Sequence, residues 1–138
     1  MRLFTRSIPI FKTADEVYRT IKSCQYHATK GRWEKDCFTI YCAKRFKGSV
    51  ISLIPVKGTI STKNSNIVVV LSIYANLGFY IGCLLFVTGA IGLLSHVIAG
   101  SPRWIPGLGS IVIGMLISGQ VLWEAKNTLD MIERKLQN

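Results

Sequence analysis

The chain reads as an α+β membrane protein: a small antiparallel β-sheet with one N-terminal helix, a two-helix transmembrane hairpin, and a C-terminal helix continuing from the second span. Three observations predict this. No Asp, Glu, Lys or Arg occurs between Asn64 and Pro102, and a second uncharged run extends from Trp104 to Trp123. Residues 1–65 instead alternate in short β-like runs around one amphipathic segment. Charge is also uneven, because residues 1–65 carry thirteen Lys/Arg against four acids, while the tail after Trp123 balances three against three. The expected organisation is a basic α/β domain over 1–74, a membrane hairpin over 75–123 and an amphipathic helix over 124–138.

Met1–Phe11 sets Leu3, Thr5, Ser7, Pro9 and Phe11 against Phe4, Arg6, Ile8 and Ile10. Such alternation suits a strand, and Pro9 confines it to an edge or an end. Thr13-Ala-Asp-Glu16 reads as a capping box. It opens a helix to about Gln25, with Ala14, Val17, Tyr18, Ile21 and Cys24 on one face and Arg19 and Lys22 on the other. Tyr26–Asp36 is polar and includes Gly31, which predicts a loop or distorted strand. Cys37–Lys44 alternates as a strand, and Arg45-Phe-Lys-Gly48 is a turn. Val50–Val56 and Thr59–Thr62 form one or two strands, broken near Pro55 or Lys57-Gly58. Ile67–Tyr74 is the last strand, so the domain reads β-α-β-β-β.

A bilayer core needs about 20 apolar residues in a helix, and the spans are expected over about 76–98 and 104–123. Gly78, Gly82, Gly89 and Gly92 fall near one face of the first span. Ser110, Gly114 and Ser118 recur every four residues in the second, and two such small-residue ridges allow close helix contact. Tyr74, Tyr80 and Trp123 suit the inner interface and Trp104 the outer, while Pro102 and Pro106 end one helix and start the next. Starting at the end of the second span, Leu122, Ala125, Leu129, Ile132 and Leu136 are spaced 3-4-3-4. That seam is expected to dock on the domain's own sheet. The hairpin then becomes an insertion within the domain, with the last strand feeding directly into the bilayer.

Basic flanks stay in the cytoplasm, so both termini are expected inside, at the cell inner (cytoplasmic) membrane, with Arg103 outside. No apolar h-region with a cleavage site occurs in residues 1–11, so the first span is expected to serve as an uncleaved anchor. The excess of Lys/Arg beside a membrane favours anionic lipid over nucleic acid, since each basic group near that surface gains about 1 kcal/mol.

No phosphate loop, HExxH or nucleophile–base motif is present, and a non-enzymatic protein without cofactor is expected. Cys24, His27, Cys37 and Cys42 form the only metal-like set. It lacks closely spaced cysteine pairs, and Cys37 and Cys42, an odd number apart, point to opposite faces of a strand. They read better as small hydrophobes, and no metal is expected. His96, the single ionisable group within the spans, lies within a turn of Gly100 and reads as interfacial.

The stretch Arg45-Phe-Lys-Gly-Ser-Val-Ile-Ser-Leu-Ile-Pro-Val-Lys-Gly-Thr-Ile60, followed by the Ile67–Ile73 strand and an apolar run, resembles a family of uncharacterised small bacterial membrane proteins. In them a short α/β domain precedes a membrane hairpin; the resemblance implies no activity. The order of strand, helix, several strands and closing helix Glu124–Leu136 is also similar to the START-like helix-grip arrangement. That resemblance implies an apolar ligand cavity beneath the last helix, although the sheet here has fewer strands.

The expected function is binding of anionic headgroups or a protein partner at the inner leaflet through Arg45, Lys47, Lys57 and Lys63. Two alternatives stand beside it: a homo-oligomeric effector or channel subunit packed through the Gly/Ser ridges, and a START-like lipid carrier.

Overall fold

A computed structural model describes residues 1–46, 49–63, 66–100 and 105–138, with side chains described outside 44–51 and 63–66. The chain forms two compact units. One comprises Met1–Ala75 with Glu124–Asn138, the other Asn76–Trp123.

In the first unit, strand β1 (Arg2–Ile10) precedes helix α1 (Ala14–Cys24), then β2 (Arg32–Glu34), β3 (Cys37–Phe46), β4 (Ser49–Lys63) and β5 (Asn66–Tyr74). The five strands are antiparallel in the order β1-β5-β4-β3-β2. The first strand thus lies beside the last, and the Ala75 amide extends their ladder by donating to the Met1 carbonyl at 2.9 Å. Pro9, which has no N–H for a ladder bond, sits on the edge strand β1.

Four sequence expectations change. Part of the segment read as loop or distorted strand is a short edge strand, β2, closed onto β3 by the two-residue turn Lys35-Asp36. That turn holds Lys35 at φ 34°, in the left-handed region. Arg45 and Phe46, read as turn, belong to β3, with a bulge between Lys44 and Arg45; Lys47 and Gly48 lie outside the described residues. β4 is one strand of fifteen residues, unbroken at Pro55 or Gly58. The register explains why Pro55 is tolerated: β4 pairs with β5 only from Val56 onward, so Pro55 lies where one side of the strand carries no ladder. Finally, Ala14 and Tyr18 are exposed, leaving Val17, Ile21 and Cys24 to bury the face of α1. The Tyr18 ring lies on Trp33 of β2 instead, centroids 4.4 Å apart, and Trp33 stacks on Phe38 at 5.2 Å.

The capping box of α1 is complete. The Thr13 hydroxyl accepts from the Glu16 amide at 3.4 Å, and the Glu16 carboxylate accepts from the Thr13 amide at 3.0 Å. These bonds, with Lys12 and Arg19 nearby, hold the Glu16 carboxyl below its ordinary value.

Even-numbered residues of β1, β3 and β4 and odd-numbered residues of β5 share one sheet face. Ile8, Ile10, Phe38, Ile40, Cys42, Ile54, Val56, Val69, Leu71 and Ile73 are buried there with the inner face of α1. Ala125, Leu129, Ile132 and Leu136 of helix α3 (Ile105–Gln137) complete the same cluster. Leu122, the first residue of the sequence seam, is instead 37% exposed. Beside the cluster, the Arg6 guanidinium donates to Asp130, 2.7 Å away, and to Glu133. Hydrogen bonding to Glu133, and then to Asp130, raises the Arg6 pKa further. The groups are about one-third exposed, so this fork orients the tail more than it stabilises it.

In the second unit, helix α2 (Leu77–Ile98) starts at Asn76, whose side chain accepts from the Phe79 amide at 3.1 Å. It packs against the first part of α3 with almost no side chain between them. A Cβ at Gly114 would lie 2.6 Å from the Gly82 carbonyl oxygen and from the Phe86 nitrogen. At Gly89 it would lie 2.8 Å from the Gly107 carbonyl oxygen and 2.9 Å from Ser110 Cβ. Both helices are long and apolar enough to cross a membrane, and only 11% of the most apolar window of each is buried.

Candidate anion-binding site

The sheet has a second face, opposite the core. Its residues follow from the register, since neighbouring strands bring same-face side chains into cross-strand rows about 4.8 Å apart. One row runs Thr39, Lys57, Ser72, Thr5 from β3 to β1, and the next runs Cys37, Thr59, Val70, Ser7. Arg2 pairs with Tyr74 beyond a register shift in β1. The bulge returns an even-numbered residue to this face.

These rows enclose an open depression of about 300 Å³, lined by Arg2, Thr39, Lys57, Thr59, Ser72 and Tyr74 together with Cys37, Val70 and the Phe38–Gly58 floor. Gly58 is required there, because a side chain would occupy the place of the Phe38 ring. Lys57 and Arg2 are exposed, and Lys57 Nζ lies 4.9 Å from the Tyr74 ring centroid. A cation over an aromatic face is attracted to it, which turns the ammonium towards the β5 end of the depression. Ser72 is 8% exposed and shares a hydrogen bond with Thr5 at 3.2 Å. Among the described residues no carboxylate lines the depression. Glu34, opposite Cys37 in the register, is engaged by Arg32 at 2.7 Å. Two cations and several hydroxyls, with no acid among the described lining residues, are donor chemistry that suits an anion.

Of the four basic residues singled out from sequence, Lys57 lines this depression. Arg45 and Lys63 are strand residues with side chains outside the description, and Lys47 lies outside the described residues altogether. Sequence reasoning missed Arg2, Thr39, Thr59, Ser72 and Tyr74. The alternation marked the face each occupies, but nothing in it reveals that β1 and β4 flank β5.

The packing residues fall out differently. Gly82, Gly89, Ser110, Gly114 and Ser118 all lie at the α2–α3 contact, where Gly107 joins them unanticipated. Gly78 would make only ordinary contacts, with Asn76 and Val121, and Gly92 faces open space rather than the ridge. Pro102, Arg103 and Trp104 lie outside the described residues, and His96 is half-buried. Cys24 and Cys42 are buried in the core, whereas Cys37 is exposed on the opposite face. Burial pushes the Cys24 thiol up and the Cys42 thiol to about 12, which keeps both protonated and unreactive.

No protein-family model, curated protein or solved structure matches the chain.

Proposed function

We propose that this chain is a non-enzymatic integral membrane protein whose α2–α3 hairpin crosses the bacterial inner membrane. Its basic α/β unit, with both termini in the cytoplasm, binds anionic lipid headgroups. The depression flanked by Arg2 and Lys57, with no acid among its described lining residues, carries the reading. The hairpin supports it, since Leu84, Ile91, Leu94 and Leu116 each expose more than 60% of their surface and need an apolar solvent. Only Ala75 and Asn76 separate Tyr74, which lines the depression, from the first residue of α2. Anionic headgroups are the anions most concentrated beside a membrane.

Neither rival gains support from a specific observation. The small-residue ridges face each other inside one hairpin, so self-association through them would require opening it. Ala125, Leu129, Ile132 and Leu136 form one buried cluster with the sheet, which favours a packed core over a carrier's cavity.

The test is calorimetric titration of the detergent-solubilised full chain with short-chain lipids. Anionic lipids should bind and zwitterionic ones should not. Arg2→Gln with Lys57→Gln should weaken binding by about tenfold or more, the loss expected for charge-assisted hydrogen bonds. Equal binding of both lipid classes defeats the reading.

A further inference from the structure

The depression specifies more than negative charge, and this deeper inference rests on the headgroup reading above. Arg2 on β1 lies opposite Tyr74 and Lys57 on β4 opposite Ser72, with β5 between them, so their backbones stand two strand spacings apart across the sheet and two residues apart along it, roughly 12 Å. Each must reach inwards over Ser72 and Tyr74 to meet a common ligand. A guanidinium is a fork that grips two oxygens, whereas an ammonium is a point donor. The Thr39 and Thr59 hydroxyls line the Lys57 side, next to that residue on the same strand or directly across from it. The two cations therefore come from the strands on either side of β5, and the hydroxyls add donors beside them.

A carboxylate, with two oxygens in one plane, satisfies the Arg2 fork and leaves the Lys57 side without an acceptor. A phosphodiester offers two unsubstituted oxygens and a single charge. A phosphomonoester presents three unsubstituted oxygens and about −1.5 to −2 charge at neutral pH, enough to engage both cations and the hydroxyls together. Val70 supplies an apolar flank for the ester carbon. We infer that this depression is a phosphomonoester site, selecting a terminal phosphate over a diester-linked or carboxylate headgroup.

Cys37 is exposed on the lip and reports occupancy. The full chain carrying Cys83→Ala, so that no thiol remains in the spans, is placed in phosphatidylcholine nanodiscs and Cys37 alkylation by N-ethylmaleimide is timed. Three additions are compared: phosphatidic acid, phosphatidylglycerol at twice the mole fraction to match charge, and inorganic phosphate. Rates are normalised at each pH to plain phosphatidylcholine.

Phosphatidic acid should slow alkylation about tenfold at pH 7, with phosphatidylglycerol near the control rate. Protection should fade by pH 5, because the second phosphate proton returns near pH 6. Arg2→Gln with Lys57→Gln should abolish it, with Cys24 and Cys42 still unreactive as proof of an intact core. Inorganic phosphate protecting as well as phosphatidic acid supports the terminal-phosphate chemistry and assigns the ligand to a soluble source; protection by the lipid alone supports it and assigns the ligand to the bilayer. Equal protection by the two lipids overturns the selectivity while leaving general headgroup binding intact. Absence of protection overturns the site, and calorimetry then judges the wider reading separately.

Discussion

Cys37 begins β3 and Cys42 lies five residues along it, yet one is exposed and the other 3% exposed in the core. Their odd separation decides this, since successive residues of a strand face opposite ways. The sequence alone therefore shows that they differ in face. Which one is buried follows only from the helices covering that side. Burial holds the Cys42 thiol at about 12 against an ordinary 9.0, and the buried Cys24 thiol adds to the shift while Lys135 opposes it. The folded state thus keeps its proton where the unfolded chain has lost it. This contribution to stability is complete below pH 9 and declines as pH rises towards 12, by up to about 1.4 kcal/mol per pH unit. Urea unfolding of the full chain in detergent should show stability falling between pH 8.5 and 10.5, with a shallower slope in Cys42→Ala. Parallel slopes would show that Cys42 does not set the dependence.

At the scale of elements, α3 was legible because apolar residues spaced 3-4-3-4 follow the second uncharged run with no helix breaker between them. It is one helix of 33 residues. β4 was less legible, since Pro55 and Gly58 both read as breaks. Each is instead compatible with its neighbours: Pro55 because β5 does not reach it, Gly58 because the Phe38 ring lies over it. The hairpin glycines show the same dependence on partners. Gly82→Leu should separate α2 from α3, because even a Cβ would lie 2.9 Å from the Ser118 nitrogen and 3.0 Å from the Gly114 carbonyl oxygen. Gly92→Leu meets open space and should be neutral or stabilising by up to about 1 kcal/mol, since glycine is the poorer helix former. Thermal unfolding in micelles should therefore fall clearly for the first variant and hold or rise for the second. Equal melting temperatures would contradict this contact.

Across the whole molecule, charge and hydropathy divide between the two compact units. The first carries all of the chain's acids, whereas the described residues of the second include no Asp, Glu, Lys or Arg. The chain passes between the units at residues 75–76 and again at 123–124. A lysine at Val87, half-exposed and near the middle of α2, separates a membrane span from an exposed apolar helix in water. In a bilayer it costs about 2.5–3.5 kcal/mol, so Val87→Lys should lower the fraction resisting alkaline carbonate extraction. In water the same change would improve solubility, and that outcome would remove the membrane assignment.

By itself the sequence determined the α+β class, two long uncharged runs, the period-2 alternation of the strands and the apolar seam of the tail. Those are one-dimensional properties, set by how often an apolar or charged residue recurs along the chain. Only the tertiary structure decided that β1 lies beside β5 and β5 beside β4, that β2 is a strand at all, and that β4 runs through Pro55 and Gly58. Periodicity assigns a residue to a face but not to a neighbour, because register and strand order depend on partners distant in sequence. Arg2 and Lys57, fifty-five positions apart, therefore line one depression only when β5 is laid between their strands.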